Sequence, residues 1–215
     1  MKVLFLYKDA DPLAAAAAAH AVEHAAQVEA HACRRGEPLP ALEGEGAFDY
    51  VISYLCPLVI PERVLKRASL AALNFHPGPP EYPGIGCTNF ALYDEVTQFG
   101  VTCHHMARKV DSGPLVAVRR FPVRPRDTVS TLTRRCHAEI AGLFYEIFDD
   151  LLEGKPLPRC PEHWTRPALT RAELEALCRI DPGMPADEIR RRVRATHYPG
   201  YPGAYVELAG IRFTH

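Results

Sequence analysis

The chain has 215 residues, 47% of them hydrophobic and 24% charged, and its 25 basic and 26 acidic side chains give a net charge of -1. Such values fit one globular domain of ordinary size with a small appendage, and they exclude the bulk basic field that holds nucleic acid or an anionic membrane surface. The apolar run in "MKVLFLYKDAD" is too short for a secretory core, nothing is long enough to span a bilayer, and seven cysteines without metal-type spacing read as reduced thiols of a cytoplasmic protein with no metal site.

In chain order, "KVLFLY" (2–7) reads as a buried strand, the Ala-rich stretch from Pro12 to about Ala26 as a helix, and "VEAHAC" (28–33) as a second strand. "DYVISYL" (49–55) is a third strand, "PERVLKRA" a helix with Pro61 at its first position, and "LAALNF" (70–75) a fourth strand. Strands separated by helical segments predict an α/β domain built on a parallel-type, Rossmann-like sheet. Ligands of such sheets sit beyond the carboxyl ends of the strands.

A proline-rich stretch, "NFHPGPPEYPGIG" (74–86), follows the fourth strand. "CTNFALYDEV" then reads as a helix, "GVTCHHM" and "LVAVRRFPV" as strands joined by "ARKVDSGP", and Val129 to Leu151 as a long amphipathic helix with Asp127 as its N-cap. Gly154 and Pro156 end that helix, which places a domain boundary there: 1–154 as the α/β domain and 155–215 as a C-terminal extension. The extension carries a weak helix over 171–178, a basic helix over 185–195, and a hairpin around Ala209-Gly210.

Asn74 and His76 are two apart at a strand end, so they face the same side, with Phe75 turned the other way. If the two strands flanking "ARKVDSGP" are neighbours, Asp111 reaches the same sheet end. An amide, an imidazole and a carboxylate are what attack of an amine on a carbonyl carbon requires. Donors stabilise the oxyanion, the imidazole handles the proton, and the carboxylate orients and charges the ring.

"NFHPGPPEYPGIG" followed by "GVTCHHMARKVDSGP" strongly resembles the folate-dependent formyltransferase family. Its signature is an Asn, a His two residues on, a Pro-rich loop ending in Gly, and an Asp about thirty-five residues later. The resemblance runs over roughly Asp49 to Gly154. It implies transfer of a formyl group from 10-formyltetrahydrofolate to a primary amine, with Asn74, His76 and Asp111 as catalytic residues. It also implies that the folate is held largely by backbone groups of Leu55, Cys56, Pro57 and Leu58 on one side and of Ala107, Arg108, Lys109, Val110 and Asp111 on the other. Many relatives carry a basic residue just after the loop glycine, where this chain has Ile85.

The wording of the proline loop and the tail "RRRVRATHYPGYPGAYVEL" look most like formyltransferases of nucleotide-linked amino sugars used in bacterial surface polysaccharides. That likeness implies a nucleotide-diphosphate amino sugar as acceptor, with Pro77, Gly78, Tyr82, Gly84, Arg194, His197 and Tyr198 as its contacts, and a homodimer. Arg190, Arg191, Arg192 and Arg194 could meet a diphosphate, or they could form a solvated helix face. Relatives acting on initiator tRNA carry a C-terminal barrel, for which the tail after the hairpin leaves no room. Other amine acceptors (methionyl-tRNA, glycinamide ribonucleotide, a small metabolite) and a folate-binding homologue without turnover stay open as alternatives.

Three further readings are weak. No G-x-G-x-x-G or phosphate loop supports a dinucleotide site. Ser112 adjoins Asp111 without a nucleophile elbow, which argues against a hydrolase built from Ser112, His76 and Asp111. His20 and His24 share a helix face but lack a third metal ligand nearby, and of "CHH" at 103–105 only Cys103 and His105 share a face, in core or supporting roles.

Overall fold

The computed structural model describes residues 1–42, 44 and 46–214. Its centre is a six-stranded sheet in the order β2-β1-β3-β4-β5-β6. The strands are β1 (Lys2–Lys8), β2 (Gln27–Cys33), β3 (Phe48–Tyr54), β4 (Ala68–His76), β5 (Gln98–His105) and β6 (Leu115–Pro122). The first four run parallel, as expected, but β5 pairs antiparallel with β4, and β6 antiparallel with β5, so the sheet is mixed. Helix α3 (Cys87–Tyr93) and the proline-rich loop before it form the connection across which the chain reverses.

On one face lie α1 (Pro12–His24) and α4 (Val129–Leu152). Asp11 caps α1 by accepting the Ala14 N–H at 3.1 Å, and Pro12 opens it, so an alanine-rich segment starts where its orphan amides are satisfied. Thr128, not Asp127, caps α4, through a capping box with Thr131. Asp127 lies just outside the helix and accepts from Thr131, Arg135 and the Arg124 N–H. Helix α2 (Glu62–Leu65) is a single turn with Pro61 as its cap, shorter than the sequence suggests.

Phe144 of α4 gathers the rings of Phe5, Tyr54 and Phe75 at centroid distances of 5.5, 5.4 and 5.3 Å. Burying Phe75 here turns Asn74 and His76 onto the opposite face. Replacing Phe75 with Ala would cost about 3–5 kcal/mol and release that constraint. The opposite face carries a smaller core of Leu4, Leu6, Phe48, Val51 and Val64, which Cys56, Leu58 and Met106 join from two loops.

Residues beyond α4 form α5 (Arg171–Cys178), the short strand β7 (Arg179–Ile180), α6 (Ala186–Thr196) and the hairpin β8 (Tyr205–Leu208) and β9 (Ile211–Thr214). Strand β7 pairs parallel with β8, which extends the expected hairpin to three strands. Leu169, Leu177 and Ala195 belong to the main core, so this extension packs into the same body as the sheet.

Candidate functional site

Strand β4 delivers two of the polar groups. Asn74 is half-buried and His76 is 4% exposed, on the face opposite Phe75. The third arrives on the loop between β5 and β6. That loop starts with the Met106 N–H donating to the Ala72 carbonyl at 2.7 Å, then folds back along β4. Asp111, at φ 42 and 7% exposed, ends between the two histidines of neighbouring strands. Its Oδ2 lies 3.2 Å from His76 Nδ1, and its Oδ1 lies 3.2 Å from His104 Nε2 and 3.5 Å from Asn74 Nδ2. The Gly84 N–H donates to Asp111 Oδ2 at 2.7 Å. Burial opposes the charge on Asp111, yet the charge of His76 and the Gly84 amide hold its carboxyl well below the usual carboxylate range.

The ring nitrogens of His76 face acceptors on both sides, Asp111 Oδ2 and, at 3.0 Å, the carbonyl of Tyr82. Both partners only accept, so the imidazolium is the form that satisfies both. His104 differs. Its Nδ1 meets the His105 carbonyl at 2.9 Å and its Nε2 meets the Asn74 amide at 3.0 Å, an arrangement that the neutral ring with Nδ1–H fulfils. The Asn74 amide therefore donates one good bond, to His104, and one long bond, to Asp111. Its second hydrogen is the one poised to change partner.

The proline-rich loop is held by its backbone. Thr102 Oγ1 donates to the Gly78 carbonyl at 2.7 Å and the Cys87 thiol to that of Pro77 at 3.1 Å. A Cβ on Gly78 would sit 2.6 Å from His76 Nε2, and one on Gly84, at φ +85, would sit 2.4 Å from the Leu169 carbonyl. Glycine is required at both because the backbone itself passes against the imidazole and the extension.

The sequence-derived contacts fare unevenly. Pro77, Gly78 and Gly84 lie in the loop wrapped around His76. Tyr82 contributes its carbonyl to His76, while its buried side chain is turned to Asp94, with the hydroxyl donating at 2.8 Å. The arginines of α6 are engaged within the protein. Arg191 and Arg192 both bind Glu188, and they stand over the Tyr93 ring with Cζ 4.4 and 5.7 Å from its centroid. Together with the Tyr93 hydroxyl they hold the Glu188 carboxyl down to about 2. Arg190 pairs with Asp187, and Arg194 donates to the carbonyls of Pro125 and Asp127 at 3.3 and 3.4 Å. His197 caps α6, and Tyr198 packs edge-on against Tyr201 at 5.3 Å.

The two expected folate loops flank the same small core. Leu55, at φ 52, adopts a left-handed conformation rare for a bulky side chain. The neighbouring Cys33 thiol and burial push the Cys56 thiol far above its ordinary range. Ala107, Arg108, Lys109 and Val110 are exposed. Beside them a groove of about 380 Å³ is lined by Leu65, Leu70, Ala72, Met106 and Arg108. Leu70, within β4, and Val59 and Val110, in the two loops, are 67%, 72% and 47% exposed. Among the described residues no group of three or more His, Cys, Asp or Glu side chains is arranged to hold a metal. His20 instead pairs with Asp149 at 2.9 Å and His24 bonds the His20 carbonyl.

Sequence reasoning missed His104 and Trp164. Parity along "CHH" placed His104 opposite Cys103, and pairing Asn74 with His104 needed the antiparallel register that only the fold supplies. Nothing in the sequence around Trp164 marked it.

A family model described as formyl transferase matches residues 8–146, including every polar residue of this cluster. The chain belongs to the formyl transferase family. It is 31% identical over 165 residues to a methionyl-tRNA formyltransferase of Geobacillus thermodenitrificans, covering 75% of this chain and 50% of that one. The chain spans about half the length of the curated relatives it matches. The fold is similar to that of a sugar N-formyltransferase from Shewanella sp., with TM-score 0.80, 16% identity and coverage of 100% and 96%. It is also similar to an N-formyltransferase from Helicobacter canadensis in complex with folinic acid and dTDP-3-aminofucose, with TM-score 0.74, 15% identity and coverage of 98% and 85%. At such identities these structures show likeness of fold. Among the described residues no helix is long and apolar enough to cross a membrane.

Proposed function

We propose that the chain transfers a formyl group from 10-formyltetrahydrofolate to a primary amine, with Asn74, His76 and Asp111 at the reaction centre. The observation that carries this reading is that Asp111 meets both Asn74 and His76 in a chain of the formyl transferase family. The folate would lie between Leu55–Leu58 and Ala107–Val110. There exposed Val59 and Val110 and the groove beside Leu70 and Met106 offer apolar surface to a flat ring system. Bound there, it supplies the activated formyl group.

The protein's part is electrostatic. As the amine adds to the formyl carbon, negative charge grows on the formyl oxygen. The Asn74 amide exchanges its long bond to Asp111 for that oxygen, and the His76 imidazolium adds its field. Asp111 stays ionised and fixes the ring. The His76 imidazolium gives a proton to the leaving folate nitrogen, and the neutral ring so formed takes the proton lost by the attacking amine, which restores the imidazolium with no acyl-enzyme. No metal is required by this chemistry.

For the acceptor we favour a nucleotide-linked amino sugar, and a role in building bacterial surface polysaccharide. The likeness of fold to a sugar N-formyltransferase across 96% of that chain supports it. The identity to methionyl-tRNA formyltransferases supports the second reading, transfer to methionyl-tRNA. The decisive experiment offers 10-formyltetrahydrofolate with a panel of nucleotide-linked amino sugars and, separately, methionyl-tRNA, and follows the mass gain of one formyl group. Formylation of a sugar supports the first reading, formylation of tRNA alone the second. Absence of transfer to any amine overturns the activity.

A further inference from the structure

The chain has a single tryptophan, Trp164, in the irregular segment between α4 and α5. That segment lies across the site. The Cys160 N–H donates to the Leu115 carbonyl, Thr165 N–H to Pro80, and Leu169 N–H to Pro83, so it is laced to β6 and to the proline-rich loop. Between those ties the Trp164 indole N–H donates to the Gly113 carbonyl at 2.8 Å. The ring stands edge-on to His104 at 5.0 Å and 88°, and to His76 at 5.9 Å and 74°. One side chain thus touches both histidines and the loop that carries Asp111.

We propose that Trp164 is a positioning residue for formyl transfer, which keeps the two imidazoles and the Asp111 loop in register. This rests on the reading of Asn74, His76 and Asp111 as the reaction centre. The loop needs such a clamp. Residues 107–110 are exposed, and Asp111 adopts a left-handed backbone that a non-glycine residue holds only when its surroundings enforce it. Two residues on, Gly113 is pressed against β5, where a Cβ would come within 1.9 Å of the His105 carbonyl. The indole bond to Gly113 fixes the loop just past Asp111 against the strand bearing His104. The indole edge meanwhile fills the space beside the rings, which limits their rotation and excludes water from the Asp111 contacts. A histidine displaced by an ångström is enough to cost a large factor in rate.

The test uses the full chain and two substitutions. Trp164→Phe keeps an aromatic edge and loses the N–H, and Trp164→Ala loses both. In Trp164→Ala kcat should fall about 10- to 100-fold with KM for both substrates within about threefold, and in Trp164→Phe the fall should be smaller. The independent readout is the ring N–H signals of His76 and His104 in 15N-labelled protein. In the parent they should exchange slowly, and in Trp164→Ala they should broaden or disappear while the backbone spectrum stays folded. A folded Trp164→Ala that keeps both the ring signals and the parent kcat overturns the proposal. If Trp164→Ala does not fold, Trp164→Phe decides by the same two measurements. If the parent transfers formyl to no amine, the proposed activity has failed, and the ring signals alone judge the clamp.

Discussion

Two polar regions of this molecule stand out in the sequence, and the fold treats them differently. The four arginines in 190–194 are adjacent in the chain, and each finds an acceptor within the protein: Asp187, Glu188, or backbone carbonyls. Asn74, His76, His104 and Asp111 are spread over 38 positions, yet they bond to one another in a space where His76, His104 and Asp111 are 4%, 2% and 7% exposed. Charges close in sequence on a helix neutralise each other by local i,i+3 and i,i+4 pairing. Polar groups brought together by separate strands and loops are retained at a desolvation cost, and that cost marks chemistry.

The largest test of this contrast removes the shared carboxylate. Asp111→Ala leaves the buried His76 imidazolium without its counter-charge and should cost about 3–5 kcal/mol of stability in urea unfolding at pH 7. A loss no greater than that of an exposed ion pair would put the cluster in the same class as α6. Next in size, Asn74→Ala should lower kcat by about 10²- to 10³-fold if its amide meets the oxyanion. Near-parent turnover in the folded variant removes that role.

Asp11 is intermediate, a local helix cap with a distant partner, His137, at 2.8 Å. Burial opposes its charge, but the His137 bond, the Ala14 amide and Lys8 bring its carboxyl down to about 2. An unfolded Asp titrates near 3.9. The folded state therefore binds fewer protons in this range, and the stabilisation is complete above about pH 4 and lost as pH falls toward 2. The urea midpoint should drop over that interval by an amount equivalent to about 2 kcal/mol, and Asp11→Asn should flatten this part of the profile. An unchanged profile in the Asn variant would assign the drop elsewhere.

Smallest is the effect expected on α6. Replacing Arg190 or Arg191 with Ala should cost at most about 1 kcal/mol each and leave the acceptor's KM within about twofold. A tenfold rise in that KM would restore the arginines as a substrate site.

The sequence by itself determined the α/β class, the helix and strand positions to within a few residues, and the parity that puts Asn74 and His76 together with Phe75 opposed. These are local matters: hydrophobic period, capping residues and the alternation of a strand all act over a few positions. Tertiary structure alone decided the reversal at β5, because the same order of elements is compatible with a parallel or an antiparallel return. It also decided that His104 faces Asn74, that Trp164 closes over both histidines, that Tyr82 turns to Asp94, and that the arginines of α6 are already engaged. Each of these is a choice among partners distant in sequence. Only the packed chain fixes which is within hydrogen-bond reach, and energies there change by kcal/mol over ångströms.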